Sequence, residues 1–197
     1  MTALEQALAH AEQRKLRDIP IRFETARLIL RAGTFADLEE TALVAEASAA
    51  ELRPWMPWAY PAPSRDSMRG YFATIDDKWH QREQLDFQWI EKSSGQLIGK
   101  GGFHHIDWTL PKFEIGYWLQ SSSVGQGYCI EAVLGLIEFA KTNMDAKRLE
   151  ICNDPRNVRS RAVAERCGFT LEGILRKNMR APDGTVRDSC IYALVIE

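Results

Sequence analysis

The chain has 197 residues, 45% of them apolar and 26% charged, with a formal net charge of −2. That length can bury a core of its own, and the composition excludes collagen-like, disordered and disulfide-framework proteins. The near-neutral balance argues against a general polyanion binder, and no run approaches the roughly 20 apolar residues of a membrane span. An arginine-rich stretch, residues 156–187, could face an anion, although a solvated surface explains it more simply.

Residues 2–16 are rich in Ala, Glu, Gln and Leu at helical spacing, so residues 1–20 are expected to form a helical extension that Pro20 ends. Residues 21–197 then read as one domain. A first strand is predicted over 21–31 and a helix over 37–51. An elbow stiffened by Pro54, Pro57, Pro61 and Pro63 carries Trp55 and Trp58, and Ser64 is placed to cap a helix over 65–80. Residues 86–91 and 97–105 form a hairpin pattern, followed by a strand at 113–119. A helix from Gly127 keeps Ile130, Val133, Leu134, Ile137 and Ala140 on one face. Residues 148–152, 169–175 and 186–196 read as strands, and 157–166 as a helix closed by Gly168. The sum is an α/β (α+β) protein with six or seven strands in a mixed sheet.

Cys129, Cys152, Cys167 and Cys190 form no C-x-x-C pair and no metal-binding spacing with the four histidines. His104 and His105 are adjacent, but strand neighbours point to opposite faces, so no metal is expected. The first 17 residues carry charges throughout and do not resemble a signal peptide, which leads us to expect reduced thiols and a cytoplasmic protein.

Two motifs carry the chemistry. Val124-Gly125-Gln126-Gly127-Tyr128 joins a strand to a helix, where unpaired N–H groups and the helix dipole can hold a phosphate. A plain glycine turn is the other reading. Further on, Asn157-Val158-Arg159-Ser160 leads to Gly168-Phe169-Thr170-Leu171-Glu172-Gly173. With Glu24-Thr25-Ala26-Arg27-Leu28, Leu52-Arg53-Pro54-Trp55-Met56-Pro57-Trp58 and Ile115-Gly116-Tyr117-Trp118, these motifs resemble the GNAT family of acetyl-CoA-dependent N-acetyltransferases. The similarity is to its RimJ/RimL branch, which acetylates ribosomal-protein N-termini, and covers residue 23 to the C-terminus.

The resemblance implies a sheet whose two central strands splay apart, with the pantetheine arm of acetyl-CoA beside Trp118 and Leu119. The pyrophosphate would lie on the backbone of Val124, Gly125, Gln126, Gly127, Tyr128 and Cys129. Asn157 would address the same arm, and Ser160 would protonate the leaving thiolate. Asn157 also reads as a helix cap, and Tyr128 as a packed aromatic. The family usually has Arg or Gln where Ser122 stands, and a glutamate where this chain has Met179. Glu114, sharing a strand face with Gly116 and Trp118, is the substitute base; a surface ion pair with an arginine is its other reading. Trp55 and Trp58 would wall the acceptor site, or else be core residues. Glu24, Glu51, Asp107 and Glu114 could line a channel for a basic acceptor.

The expected partners are acetyl-CoA and an amine, with no nucleic acid or membrane; the N-terminal helix could mediate a homodimer. A protein N-terminal amine is the acceptor that the resemblance implies, by direct transfer. Antibiotics, polyamines and amino acids are alternatives, as is a non-catalytic CoA-binding module. A Rossmann oxidoreductase would need glycine where Ile130 stands, and a P-loop enzyme a Lys-Ser or Lys-Thr after the glycines.

Overall fold

The structure, a computed structural model, describes residues 2–60 and 62–197; Pro61 of the elbow lies outside the described residues. Helix α1 (Ala3–Lys15) starts on a capping box: Thr2 Oγ1 accepts from the Glu5 N–H, and the Thr2 N–H donates to Glu5 at 2.7 Å. Where one strand was expected, β1 (Arg22–Glu24) and β2 (Leu28–Ala32) pair as a tight hairpin. Thr25 makes the bend, accepting from the Leu28 N–H at 3.1 Å and donating to Glu131 at 2.6 Å.

The two central helices predicted as single segments are each broken. Helices α2 (Leu38–Ala47) and α3 (Ala49–Leu52) part at Ser48, whose buried hydroxyl accepts from the Ser121 N–H instead of continuing a helix face. Helices α4 (Arg65–Phe72) and α5 (Ile75–His80) part at Thr74, whose Oγ1 donates to the Tyr71 carbonyl at 3.0 Å. Ser64 caps α4 as expected, accepting from the Ser67 N–H.

The remaining elements are β3 (Leu85–Glu91), β4 (Leu97–Asp107), β5 (Lys112–Leu119), α6 (Tyr128–Met144), β6 (Arg148–Asn153), α7 (Val158–Arg166), β7 (Thr170–Arg180) and β8 (Val186–Val195). They form one eight-stranded sheet in the order β1-β2-β3-β4-β5-β6-β8-β7, with only β5 and β6 parallel. The eighth strand comes from splitting the first.

Each face of the sheet has its own apolar layer. Ala132, Val133, Leu136, Ile137 and Ala140 of α6 recur at helical spacing and bury against Phe87, Phe103, Phe113 and Ile115. On the opposite face, Leu38, Ala42, Leu52, Met68 and Phe72 pack around Trp118. β5 serves both layers, because alternate residues point to opposite faces.

The sheet opens in its middle. β5 and β6 are paired only through Lys112–Arg148, Phe113–Leu149 and Glu114–Glu150. Beyond Glu114 the two strands diverge, as the resemblance implied. A Gln120 N–H to Ile98 carbonyl bond of 2.8 Å and the β4–β5 register, continuous from Gly99–Leu119 to His104–Glu114, fix which backbone groups face which way. Even-numbered residues of β5 bond to β4, so the amides of Ile115, Tyr117 and Leu119 point into the gap.

Candidate active site

A cavity of about 450 Å³ lies across that gap. Of the residues singled out from sequence, Trp55, Trp58, Glu114, Trp118, Asn157 and Ser160 line it. Trp58 is partly exposed and meets Trp118 with ring centroids 5.6 Å apart, so it belongs to the cavity wall rather than to the core. Arg187 holds the elbow in place, its guanidinium donating to the carbonyls of Pro54 (3.5 Å) and Trp55 (3.3 Å). The same guanidinium lies 3.8 Å from buried Asp154.

On the α7 side, Asn157 Oδ1 accepts from the Ser160 N–H at 3.1 Å, so the cap is real. That bond brings the Ser160 hydroxyl to 3.1 Å from the Tyr117 hydroxyl. Tyr117 also donates to the Ser160 carbonyl at 3.2 Å, which leaves its oxygen free to accept from Ser160. Burial pushes the Tyr117 phenol well above its ordinary range, so it stays protonated. Asn153 Nδ2 approaches Ser160 Oγ at 3.4 Å, while the buried Asn153 Oδ1 has no protein partner.

Among the described residues, Glu114 is not paired with an arginine. Its Oε2 lies 2.9 Å from His105 Nδ1. Met179 does line the cavity, opposite Arg187 in the β7–β8 ladder. Glu24, Glu51 and Asp107 do not. Glu24 binds Arg22 and Lys92, Glu51 accepts from the Ser121 hydroxyl, and Asp107 closes its own turn with Thr109.

Leu119, the last residue of β5, and Val124, Gly125, Gln126, Gly127, Tyr128 and Cys129 beyond it are outside the cavity lining. Gly125 and Gly127 both adopt positive φ, +85° and +82°, and little would crowd a Cβ at either; conformation, not space, requires glycine. They lead into α6 with Gly127 as its N-cap, where the first backbone N–H groups have no intrahelical partner. Arg27 braces the turn, its guanidinium ion-paired with Glu131 at 2.6 Å, donating to the Gln126 carbonyl at 2.9 Å and lying 4.3 Å from the centre of the Tyr128 ring. Tyr128 itself is buried and donates to Glu91, which makes it a packing residue. Cys129 packs behind Tyr117, and burial pushes its thiol up.

Sequence reasoning missed the cavity floor. Asp86, only 3% exposed, is bonded by Tyr71 and Gln84 and lies 3.2 Å from Lys100 Nζ and 3.3 Å from His104 Nε2. Burial would raise the Asp86 carboxyl, but Lys100 and His104 more than offset it and hold it well below the carboxylate range. Burial draws Lys100 down while Asp86 opposes the shift. No group of three or more His, Cys, Asp or Glu among the described residues is placed to hold a metal ion.

A split sheet with inward amides, a glycine turn near its open end and a hydroxyl beside the gap suits an acyltransferase. The chain belongs to the GNAT family: residues 27–170 match the acetyltransferase (GNAT) domain, which places the protein among the acetyl-CoA-dependent N-acetyltransferases. It is 33% identical over 141 residues to YdaF of Bacillus subtilis (strain 168), whose name assigns it to ribosomal N-acetyltransfer, covering 70% of this chain and 76% of that one. It is 35% identical over 118 residues to the ribosomal-protein-serine acetyltransferase of Escherichia coli (strain K12), covering 60% and 65%. The microcin C7 self-immunity acetyltransferase MccE, solved with acetyl-CoA and AMP, superimposes with a TM-score of 0.80 at 27% identity, over 87% of this chain and 93% of that one.

No helix among the described residues is long and apolar enough to cross a membrane.

Proposed function

We propose that the protein moves the acetyl group of acetyl-CoA to the α-amine at a protein N-terminus, by direct transfer. The observation that carries this reading is the cavity across the β5–β6 gap, with Trp55 and Trp58 on the acceptor side and Ser160 on the other. Relatives named for ribosomal-protein acetylation support a protein acceptor. Direct transfer is supported by Cys152, the cavity's one lining thiol among the described residues: burial, with Glu114 nearby, pushes it up to about 12, too high to serve as a nucleophile near neutrality. A small-molecule amine is the second reading, favoured by the modest cavity volume, which is typical of small-ligand pockets. Four free cysteines support a cytoplasmic setting. Exposed Leu4 and Leu8 on α1 support a role for this helix in meeting a second copy.

In this reading the Leu119 amide, which points into the gap, stabilises the oxyanion that forms on attack. Ser160 gives its proton to the departing CoA thiolate, and Tyr117 orients the hydroxyl. Glu114 belongs to the path by which the acceptor ammonium loses its proton. The backbone of residues 124–129 receives the pyrophosphate.

The first test is calorimetric titration with acetyl-CoA and, in parallel, NADH, followed by release of CoA thiol with N-terminal serine and alanine peptides and with small amines. Acetyl-CoA binding with peptide-dependent release is expected; release with small amines alone would move the acceptor to the second reading. Gly127→Val should weaken acetyl-CoA binding about tenfold, because an L-residue at that φ costs roughly 1–2 kcal/mol. Arg187→Gln frees the elbow carbonyls and should raise the acceptor KM several-fold while acetyl-CoA affinity holds; equal KM values would remove the elbow from the acceptor wall.

A further inference from the structure

β3, β4 and β5 place three chemistry-bearing side chains in a row on the cavity face: Asp86, His104 and Glu114. His104 and Glu114 are register partners, so their side chains stand side by side on that face. His104 lines the cavity, and its ring lies over Gly116, where a Cβ would come within 3.0 Å of it. Gly116 therefore gives the imidazole its place beside the open strand. Behind the ring, Asp86 Oδ1 faces Nε2 at 3.3 Å. A carboxylate only accepts, so this contact puts a proton on Nε2 and leaves Nδ1 as the basic nitrogen of the neutral ring. At the far end of the row, a β-bulge after His104 turns the chain; His105 takes φ +45° and sets its largely exposed ring against Glu114. A non-glycine residue held at that φ is uncommon, and here it connects the cavity carboxylate to solvent.

We propose that His104, held by Asp86, is the catalytic base that takes the acceptor's proton, and that Glu114 and His105 pass that proton to water. The inference rests on the acetyltransfer reading given above. The acceptor ammonium gives one proton to His104 Nδ1, and the freed lone pair forms the bond to the acetyl carbon. The carbon–sulfur bond breaks as the oxyanion collapses, and the thiolate takes the Ser160 proton. The second proton lost by the nitrogen restores Ser160. Nothing is oxidised or reduced, and the net release is one proton to solvent. The imidazolium formed in the first step is stabilised by Asp86, whose charge is maintained by Lys100 and Tyr71; Glu114 is the other titratable group facing it.

The test uses the full chain with acetyl-CoA and an N-terminal serine peptide, or the best small amine of the panel. His104→Gln keeps a donor for Asp86 but cannot take a proton. It should lower kcat/KM by about a hundredfold or more and abolish the acidic limb of the pH profile, while thermal unfolding and acetyl-CoA affinity stay as in the wild type. Glu114→Gln should cost less, and the double variant should be no slower than His104→Gln, since members of one proton path are not additive. A His104→Gln rate within about threefold of wild type, an unchanged pH profile, or multiplicative losses in the double variant would overturn the role. His104→Asn serves the same purpose if His104→Gln does not fold. A wild-type protein that binds acetyl-CoA yet transfers to no amine would overturn the acetyltransfer reading, and His104's role with it; an active wild type with an unaffected variant overturns only the latter.

Discussion

Asp86→Ala is expected to destabilise the fold by about 3–5 kcal/mol, the usual range when a buried ion pair loses one partner, and to lower the unfolding midpoint by roughly 10 °C. Lys100 is the reason. Lys100 is 7% exposed, and the polar contacts of its ammonium are Asp86 and the Tyr71 hydroxyl. Without Asp86 the ammonium must shed its proton or draw water into the floor, and Tyr71 loses its acceptor as well. The double variant Asp86→Ala with Lys100→Met should regain much of the loss, because it removes the stranded charge. Denaturant titration of the two variants checks this; an unchanged midpoint for Asp86→Ala would mean that Lys100 has another counter-ion. The pH dependence has a definite sign. The Asp86 carboxyl is depressed in the folded protein, so its contribution is in place above the ordinary carboxylate range and is lost as pH falls through the native value.

Ser160→Ala is expected to reduce kcat by about a hundredfold, the lower range for loss of a positioned acid, with acetyl-CoA affinity unchanged. The substitution keeps the backbone bonds at this position, since the N–H of residue 160 donates to Asn157 and its carbonyl accepts from Tyr117, and it removes the hydroxyl's contacts with Tyr117 and Asn153. Only the hydroxyl is removed. Rates measured at saturating acetyl-CoA, beside an unfolding curve, separate chemistry from folding. A kcat close to wild type would reduce Ser160 to a lining residue and leave the thiolate to take its proton from water.

Features encoded within a few residues were legible in the sequence. The glycines at 125 and 127, the Asn157 cap and the helix behind the turn depend on local conformation and spacing, and they stand where expected. The helix breaks at Ser48 and Thr74 and the bend at Thr25 were not legible, since each depends on a hydroxyl whose partner a periodic pattern does not reveal. The cavity floor was hidden for another reason. Asp86 and Lys100 stand on separate strands, β3 and β4, with no local signal joining them, and the fold brings them 3.2 Å apart as a buried pair. The Tyr117–Ser160 contact joins residues 43 positions apart, which spacing cannot predict.

The three-pair seam between β5 and β6 has a mechanical consequence. β1 to β5 and β6 to β8 are in effect two sheets, of five and three strands, hinged at Glu114 and Glu150. A chain of hydrogen-bonding groups laid along the amides of Ile115, Tyr117 and Leu119 would act as a rivet across the open end, so the carrier is as much a structural member as a donor of acetyl groups. The two halves should then melt with greater cooperativity when loaded, and amide exchange at those three residues should slow more than anywhere in β1 to β4.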